Sequence, residues 1–204
     1  MKTLAIFCIF LVLGLSSCVG FLAVLGAGAD KHHGSTEVQE WATAQRMKSD
    51  IFASEIQFHD QHHIDETHAG VGEYAFLSEL SGLVPFKGQK FDLLDPNFQS
   101  AQPQESGYRF IVYLPDGYHA GVADPYPEAR HFSATGAAMC GQFFVVYGWP
   151  MDVNQGRRIL ALDQSGNLFV RAVADVPMPP PWNALYGSGD WGGPPAAGWE
   201  PYHR

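Results

Sequence analysis

The strongest constraint on this chain is an uncharged apolar segment near its start. Residues 4–29 contain no Asp, Glu, Lys or Arg, and polar residues follow at once, beginning with Asp30 and Lys31. An apolar run longer than about 18 residues is long enough to cross a bilayer as a helix. The sequence therefore predicts that the chain contacts a membrane through residues 4–29 and that the rest is exported.

Three fates of this segment fit its sequence. As a signal anchor it stays in the membrane, because its apolar stretch exceeds the roughly 7 to 15 residues of a cleavable signal core. As a cleaved signal peptide it ends at Ala29, since Ala27 and Ala29 are the small residues that a signal peptidase reads. As a lipoprotein signal it ends before Cys18, because residues 15–18 resemble a bacterial lipobox, and Cys18 is then the lipidation site.

Charge and cysteine content limit what the exported part does. The formal net charge is −9 and no run of Lys or Arg occurs. Nucleic-acid affinity rests largely on cations that neutralise phosphates, so we expect no nucleic-acid partner. Cys140 is the one cysteine after residue 29, which excludes an intrachain disulfide in the exported part and predicts a small buried side chain.

An amphipathic helix is predicted at the start of the exported part. Apolar residues recur there at the spacing of one helix face, namely Trp41, Ala44, Met47, Ile51 and Phe58. Charged residues fall between them and are expected to face water, namely Lys48, Asp50 and Glu55. A second short helix or turn is expected to end near Gly82.

Four β-strands are predicted after a loop that prolines interrupt at residues 83–106. Residues 108–114, 141–149, 158–162 and 168–173 are runs rich in apolar, β-branched and aromatic residues, and residues 163–167 are typical of a hairpin turn. The sequence thus predicts an α+β domain over residues 30–173. In it, the amphipathic helix packs on a roughly four-stranded antiparallel sheet.

Residues 174–204 form a tail rich in Pro, Gly and Trp. The tail holds seven of the fourteen prolines, so no regular element is expected there. One interpretation is that the tail packs back on the sheet, with Trp182, Trp191 and Trp199 as clasps. Another is that these indoles bind a glycan or a cell-wall polymer, because flat aromatic rings stack on sugar faces. The second interpretation describes a secreted or lipid-anchored binding module.

Histidines and carboxylates after the first helix are the candidates for a metal site. His59 and His63 lie at i and i+4, so one helical face presents two imidazoles to a zinc ion. The oxygen ligands considered for a weak cation site such as calcium are Asp60, Asp65, Glu66 and Glu73. A zinc-dependent hydrolase is therefore the third functional hypothesis for this chain.

Motifs for nucleophilic catalysis and for cofactors are not found in the sequence. It contains no Gly-x-Ser-x-Gly, no phosphate-binding glycine loop, and no cysteine with a credibly placed histidine. The zinc hypothesis also lacks the glutamate base that metalloproteases carry between their paired histidines. We therefore expect no catalysis and no cofactor.

Three short motifs carry a resemblance to a known family. They are residues 65–74 (DETHAGVGEY) followed by Leu77-Ser78-Glu79-Leu80, residues 106–110 (SGYRF), and residues 162–167 (LDQSGN). Together they resemble the type IV pilin-like and pseudopilin-like proteins of bacteria, in particular uncharacterised ones from planctomycete-type genomes. The similarity spans about residues 36–173.

The resemblance implies a fold, a location and a class of partner. It implies a stem helix that continues from the membrane into an amphipathic helix on an antiparallel sheet. It also implies a single pass through a bacterial inner membrane, with the C-terminal domain in the periplasm or outside the cell. The expected partners are other pilin-like subunits or secretion machinery. The sequence departs from a typical prepilin at Leu25, which stands where such proteins carry an assembly glutamate after a cut site.

Overall fold

The computed structural model describes residues 33–67, 70–100, 102–126, 128, 130–152, 157–187 and 189–203. The chain divides into a unit Met1–Ser35 and a unit Thr36–Arg204, and the architecture below is that of the second. Residues 4–29, with Cys18, lie outside the described residues, so the membrane segment and its three fates stay predictions. Within the described ranges, no helix combines the length and the apolar character needed to cross a bilayer.

A long helical run opens the structure. Helix α1 spans His33–Arg46, a π-helical turn spans Met47–Phe52, and helix α2 spans Ala53–Asp60. The predicted apolar face is confirmed for four buried residues, namely Ala44, Met47, Ile51 and Phe58. The prediction is wrong for Trp41, which is 47% exposed. Two further helices are short. Helix α3 (Leu77–Leu80) precedes the strands, and helix α4 (Ala134–Cys140) lies between the third and the fourth strand in chain order.

An antiparallel sheet lies at the centre of the unit. Its four longer strands are the predicted ones, namely β2 (Tyr108–Pro115), β4 (Val145–Pro150), β5 (Arg158–Asp163) and β6 (Leu168–Ala172). Three further strands are short, namely β1 (Gln104–Glu105), β3 (Gly121–Ala123) and β7 (Glu200–Pro201). The order is β1-β2-β4-β5-β6-β7, with β3 paired to β2. The α+β class is thus confirmed, and the described sheet has seven strands rather than about four.

Strand register is set by a tight hairpin between β5 and β6. In the turn, Asp163 Oδ1 accepts hydrogen bonds from the backbone N–H groups of Ser165 at 3.0 Å and Asn167 at 3.3 Å. Gly166 takes the left-handed φ of +75° that favours glycine. The predicted turn at residues 163–167 therefore forms as a side-chain-capped turn, and Leu160 pairs with Val170 across the hairpin.

The two faces of the sheet are both covered. Strand residues that face the helices share one buried cluster with Met47, Ile51 and Phe58, and these strand residues are Phe110, Val112, Val146, Leu160 and Leu162. Their neighbours point the other way into a second cluster, namely Ile111, Tyr113, Val145, Tyr147 and Ile159. Tail residues complete that second cluster, among them Leu185, Trp191 and Trp199. Strands of a sheet that is buried on both faces have continuous runs of apolar residues, and the four predicted strands have such runs.

Ion pairs and one glycine fix the helical run on the sheet. Arg46 of α1 pairs with Glu105 of β1 at 2.6 Å, and Arg158 of β5 pairs with Glu40 of α1. At Gly148 of β4, a Cβ atom would lie only 3.2 Å from the sulfur of Met47. The absence of a side chain at Gly148 therefore allows the helix to approach the sheet closely.

Candidate functional site

The two histidines predicted to bind zinc contact different groups in the structure. His59 stacks on Tyr74 with ring centroids 4.7 Å apart, and its Nε2 lies 3.2 Å from the carbonyl oxygen of Gly141. His63 packs against Phe91 with ring centroids 4.5 Å apart, and its Nε2 lies 2.7 Å from the amide oxygen of Gln61. Each imidazole is thus used in local packing and hydrogen bonding.

The carboxylates predicted to join them have local partners as well. Asp65 Oδ2 accepts a hydrogen bond from the backbone N–H of Gly70 at 2.9 Å. Glu73 Oε1 accepts one from the backbone N–H of Glu66 at 2.7 Å. Within the described ranges, no group of three or more His, Cys, Asp and Glu side chains is placed to hold a metal ion. In the described part of the chain, the candidate histidines and carboxylates are therefore not brought together as a zinc or calcium site.

The three tail tryptophans pack onto the sheet. Trp191 and Trp199 are buried in the second cluster, and Trp182 is half-buried against Trp191 with ring centroids 4.9 Å apart. Their indole N–H groups also hold the chain, because that of Trp199 donates to the Ala184 carbonyl at 2.7 Å. Trp199 and most of Trp191 are covered, so the three indoles do not form an open platform for sugar rings. Their arrangement matches the interpretation of the tail as a set of clasps.

A buried charged cluster lies among the helices, and the sequence did not indicate it. Arg130 is at its centre, with its Nε 2.8 Å from Glu79 Oε1 and its Nη2 2.6 Å from Glu79 Oε2. Its Nη1 lies 3.3 Å from Glu73 Oε2, and its Nη2 donates to the carbonyl of Tyr74 at 3.0 Å. Three aromatic rings lie within 6 Å of the guanidinium carbon, namely those of Phe76, Phe86 and Phe132. The guanidinium is thus paired and enclosed.

Glu55 lies next to this cluster and corrects a sequence prediction. It was expected to face water but is fully buried, because it lies one helical turn from both Ile51 and Phe58. Its Oε2 accepts a hydrogen bond from the backbone N–H of Ala75 at 2.9 Å, and its Oε1 has no hydrogen-bond partner in the described part of the chain. Burial raises the pKa of Glu55 well above 4.5, an effect that the Ala75 hydrogen bond and Arg130 partly oppose.

The neighbouring titratable groups respond to burial in the same direction. Burial raises the pKa of Glu73, and the Glu66 hydrogen bond and Arg130 partly oppose this effect. Burial also raises the pKa of the Cys140 thiol, whose sulfur lies 3.3 Å from the Pro115 carbonyl oxygen. Cys140 is therefore the small buried side chain that the sequence predicted. The cluster joins α2, α3 and the segment before α4, and this arrangement gives it a structural role.

An exposed apolar pair lies on the opposite side of the helical run. Val38 and Trp41 of α1 are 62% and 47% exposed, respectively, and they lie at i and i+3 on neighbouring surface positions. Gln45 and Lys48 next to them are exposed as well. We call Val38 and Trp41 the outer helix pair. Neither residue belongs to the two buried clusters of the sheet or to the side chains packed against them.

Comparisons of this chain with protein-family models, with curated proteins and with solved structures found no match. The resemblance to pilin-like proteins therefore depends on its three short motifs. In the structure, the first motif contains Glu73 and α3, and the second forms the turn into β2. The third forms the hairpin between β5 and β6. All three motifs thus lie at connections between elements.

Proposed function

We propose that this protein is an exported, pilin-like structural and interaction protein with no catalytic activity. Residues 4–29 anchor it in a bacterial inner membrane, and the domain that follows lies in the periplasm or outside the cell. Its partners are other pilin-like subunits, in the first place further copies of this chain, or secretion machinery. The observation that carries the proposal is the outer helix pair, Val38 and Trp41.

The surfaces left open by the fold favour the helix as the contact between copies. One face of the sheet is covered by the helical run and the other by the tail, so neither face is open to a partner. A nearly half-exposed tryptophan beside an exposed valine forms a larger apolar surface than a single scattered apolar residue does. The pair also follows the uncharged segment by only a few residues, so two anchored copies would bring their α1 helices to a similar height.

Photocrosslinking in membranes tests this contact. The photoreactive residue p-benzoylphenylalanine replaces Val38 or Trp41, and a matched variant carries it at Gln57, which is exposed near the far end of the helical run. Met47 is unsuitable because it is fully buried. We expect same-chain adducts, identified by mass spectrometry, from positions 38 and 41 and few from position 57. Absence of such adducts, or equal yields at all three positions, would contradict the proposal.

The intact mass of the mature protein tests the anchor separately. Retention of residues 4–29 gives the mass of the full chain, whereas cleavage after Ala29 removes the whole apolar segment. Lipidation at Cys18 gives a third mass, which combines loss of the preceding residues with an added lipid. Recovery of the mass for cleavage after Ala29 would rule out the anchor, whatever the photocrosslinking shows.

A zinc hydrolase is not proposed. His59 stacks on Tyr74 and His63 packs at a tilt against Phe91, and the carboxylates near them accept backbone hydrogen bonds. Metal analysis of protein purified without added zinc checks this directly. We expect substoichiometric zinc, and one tightly held zinc per chain would revive the hydrolase hypothesis.

A further inference from the structure

A cleft of about 360 Å³ opens between the tail, α4 and the turn after β2. Volumes from about 300 to 1,000 Å³ are typical of small-ligand sites. The lining residues that matter here are Tyr118, Thr135, Gln142, Phe143, Asp190 and Trp191. The cleft thus has a suitable size and combines aromatic with polar side chains. His59, His63 and Arg130 are not among the residues that line it.

The aromatic wall of the cleft is held in place before any ligand arrives. The indole N–H of Trp191 donates to the Ala120 carbonyl at 3.1 Å, and the ring stacks on Trp182 at an interplanar angle of 18°. The chain after Trp191 lies directly on Phe143, because a Cβ atom at Gly192 would be 2.5 Å from that ring. Gly192 also has a φ of +72°, which favours glycine. A site whose walls are already fixed loses little entropy on binding.

The polar groups of the cleft determine which ligands fit it. The described residues that line it include no Lys or Arg, so an anionic ligand would meet no permanent cation among them. A nearby basic group is His119, whose Nδ1 lies 3.2 Å from Asp190 Oδ1. The Asp190 carboxylate accepts hydrogen bonds, the Gln142 amide donates and accepts them, and the Thr135 hydroxyl does both. Tyr118, which is 67% exposed, adds an aromatic ring at the rim. Hydroxyl groups match this set of donors and acceptors, and the C–H faces of a sugar match the aromatic rings.

We propose that this cleft binds a short stretch of a neutral saccharide. Tyr118 and Phe143 contact the apolar face of a sugar ring, and Trp191 supports the wall beside them. Asp190 and Gln142 hydrogen-bond its hydroxyl groups and orient the chain. This assignment differs from stacking on the three tail indoles, because two of its contact residues, Tyr118 and Phe143, lie outside the tail. It is also independent of contacts between copies through Val38 and Trp41.

Titration of the full-length protein with uncharged oligosaccharides tests the assignment. The probes are oligomers of glucose and of N-acetylglucosamine, and the readouts are calorimetry and tryptophan fluorescence, which responds to contacts near Trp191. We expect saturable binding of at least one oligomer. Asp190 and Gln142 are exposed, and a typical hydrogen bond makes a net contribution of about 0.5–1.5 kcal/mol, so Asp190→Ala and Gln142→Ala are each expected to weaken binding by about 2- to 13-fold.

Aromatic variants distinguish binding in the cleft from non-specific binding to exposed aromatic residues. Tyr118→Ala is expected to weaken binding, whereas Tyr126→Ala, at an exposed tyrosine that does not line the cleft, is expected to leave it unchanged. Equal loss in both variants would overturn the assignment, and so would absence of binding by the native protein. Binding of tetramethylammonium with no saccharide binding would also overturn it, since that result would identify a site for cations held by Asp190. Thermal unfolding of each variant confirms that it is folded.

Discussion

The two layers that cover the sheet bury polar groups in different ways. In the helical layer the buried polar groups include a charged cluster, with Arg130 between Glu79 and Glu73 and with Glu55 beside them. In the tail layer they are neutral, since Tyr147 and Trp199 hydrogen-bond to backbone carbonyl groups of the tail. The helices satisfy most of their own backbone groups, whereas the irregular tail satisfies only some of them through turns, such as the bond from the Ala196 N–H to the Leu185 carbonyl at 2.6 Å. Aromatic hydroxyl and N–H groups supply further hydrogen bonds to the tail backbone.

This difference teaches how a proline-rich segment becomes part of a core. Tyr147 shows it most directly, because its hydroxyl donates to the Trp182 carbonyl at 3.0 Å and accepts from the Leu185 N–H at 2.8 Å. Tyr113 donates to the Pro180 carbonyl at 2.9 Å in the same way. Each of these side chains combines a large apolar surface with one polar atom that reaches a backbone group. Tyrosine and tryptophan thus replace the hydrogen bonds that a regular element would have made.

The largest effect is expected from loss of the central cation in the helical layer. Arg130→Met leaves Glu73 and Glu79 buried without their counter-ion, and this should lower the free energy of unfolding by about 3–5 kcal/mol. Urea unfolding of the purified protein measures the change. Arg109→Met, at an exposed position of β2, is the matched control and should change little. Adding Glu79→Gln to Arg130→Met should restore part of the loss, and failure of both expectations would mean that the cluster contributes no stability.

A smaller effect is expected from removing one hydroxyl in the tail layer. Tyr147→Phe keeps the ring but leaves the buried N–H of Leu185 without its acceptor, which should cost about 1–3 kcal/mol. Hydrogen exchange should show that the Leu185 amide opens faster, in addition to the loss measured by urea unfolding. Tyr126→Phe, at an exposed tyrosine, should leave both measurements unchanged. Equal behaviour of the two variants would show that water, rather than Tyr147, satisfies the tail.

In the acidic to neutral range, the helical layer should make stability depend on pH through Glu55. Because the pKa of Glu55 is higher in the folded protein than the 4.5 of the unfolded chain, its contribution is complete below about pH 4.5 and is lost as the pH rises toward the folded value. Each pH unit in that window costs up to about 1.4 kcal/mol. Glu55→Gln should flatten this decline in a series of thermal unfolding curves. Glu200→Gln, at an exposed glutamate, should keep the native profile.

The smallest effect is expected at the outer helix pair, which lies on the exposed side of the helical layer. Trp41→Ala removes a half-exposed ring, so the free energy of unfolding should change by about 0.5 kcal/mol or less. Trp199→Ala, in the tail layer, serves as the contrast and should cost about 3–5 kcal/mol. Urea unfolding in detergent compares the two. A large loss at Trp41 would place this residue in the core and remove the observation that carries the proposed contact between copies.

Much of the fold could be predicted from the sequence because its longer elements have distinct local patterns. The helical stripe through Met47 and Ile51 and the four apolar runs each exceed the length at which periodicity or β-propensity becomes distinct. The strands β1, β3 and β7 were missed because two or three residues carry no pattern. Helix α4 was missed for a related reason, since Ser133 caps a helix of only seven residues.

The sites were less accessible because they depend on contacts between distant residues. Arg130 and Glu79 are 51 positions apart, and the local sequence around each residue gives no indication that the two form an ion pair. The burial of Glu55 was indicated in part by the sequence, because Glu55 shares the helical spacing of the buried residues Ile51 and Phe58. Its charge led to the prediction that it faces water. The cleft likewise joins Tyr118 to Asp190, which only the path of the tail brings together. Composition indicated that the tail is irregular, and the path itself required the structure.

The last strand has a consequence for how copies of this protein meet. Strand β7 pairs with β6 through Phe169 and Val170 and so occupies one border of the sheet, while β1 and β3 pair with the two ends of β2 at the other. Open borders of a sheet invite strand-to-strand growth between molecules, and short terminal strands discourage it. Residues 200–201 thus cover part of β6 and limit strand-to-strand growth at this border of the sheet. Removal of residues 200–201 would uncover this part of β6 and would favour strand-to-strand association between molecules.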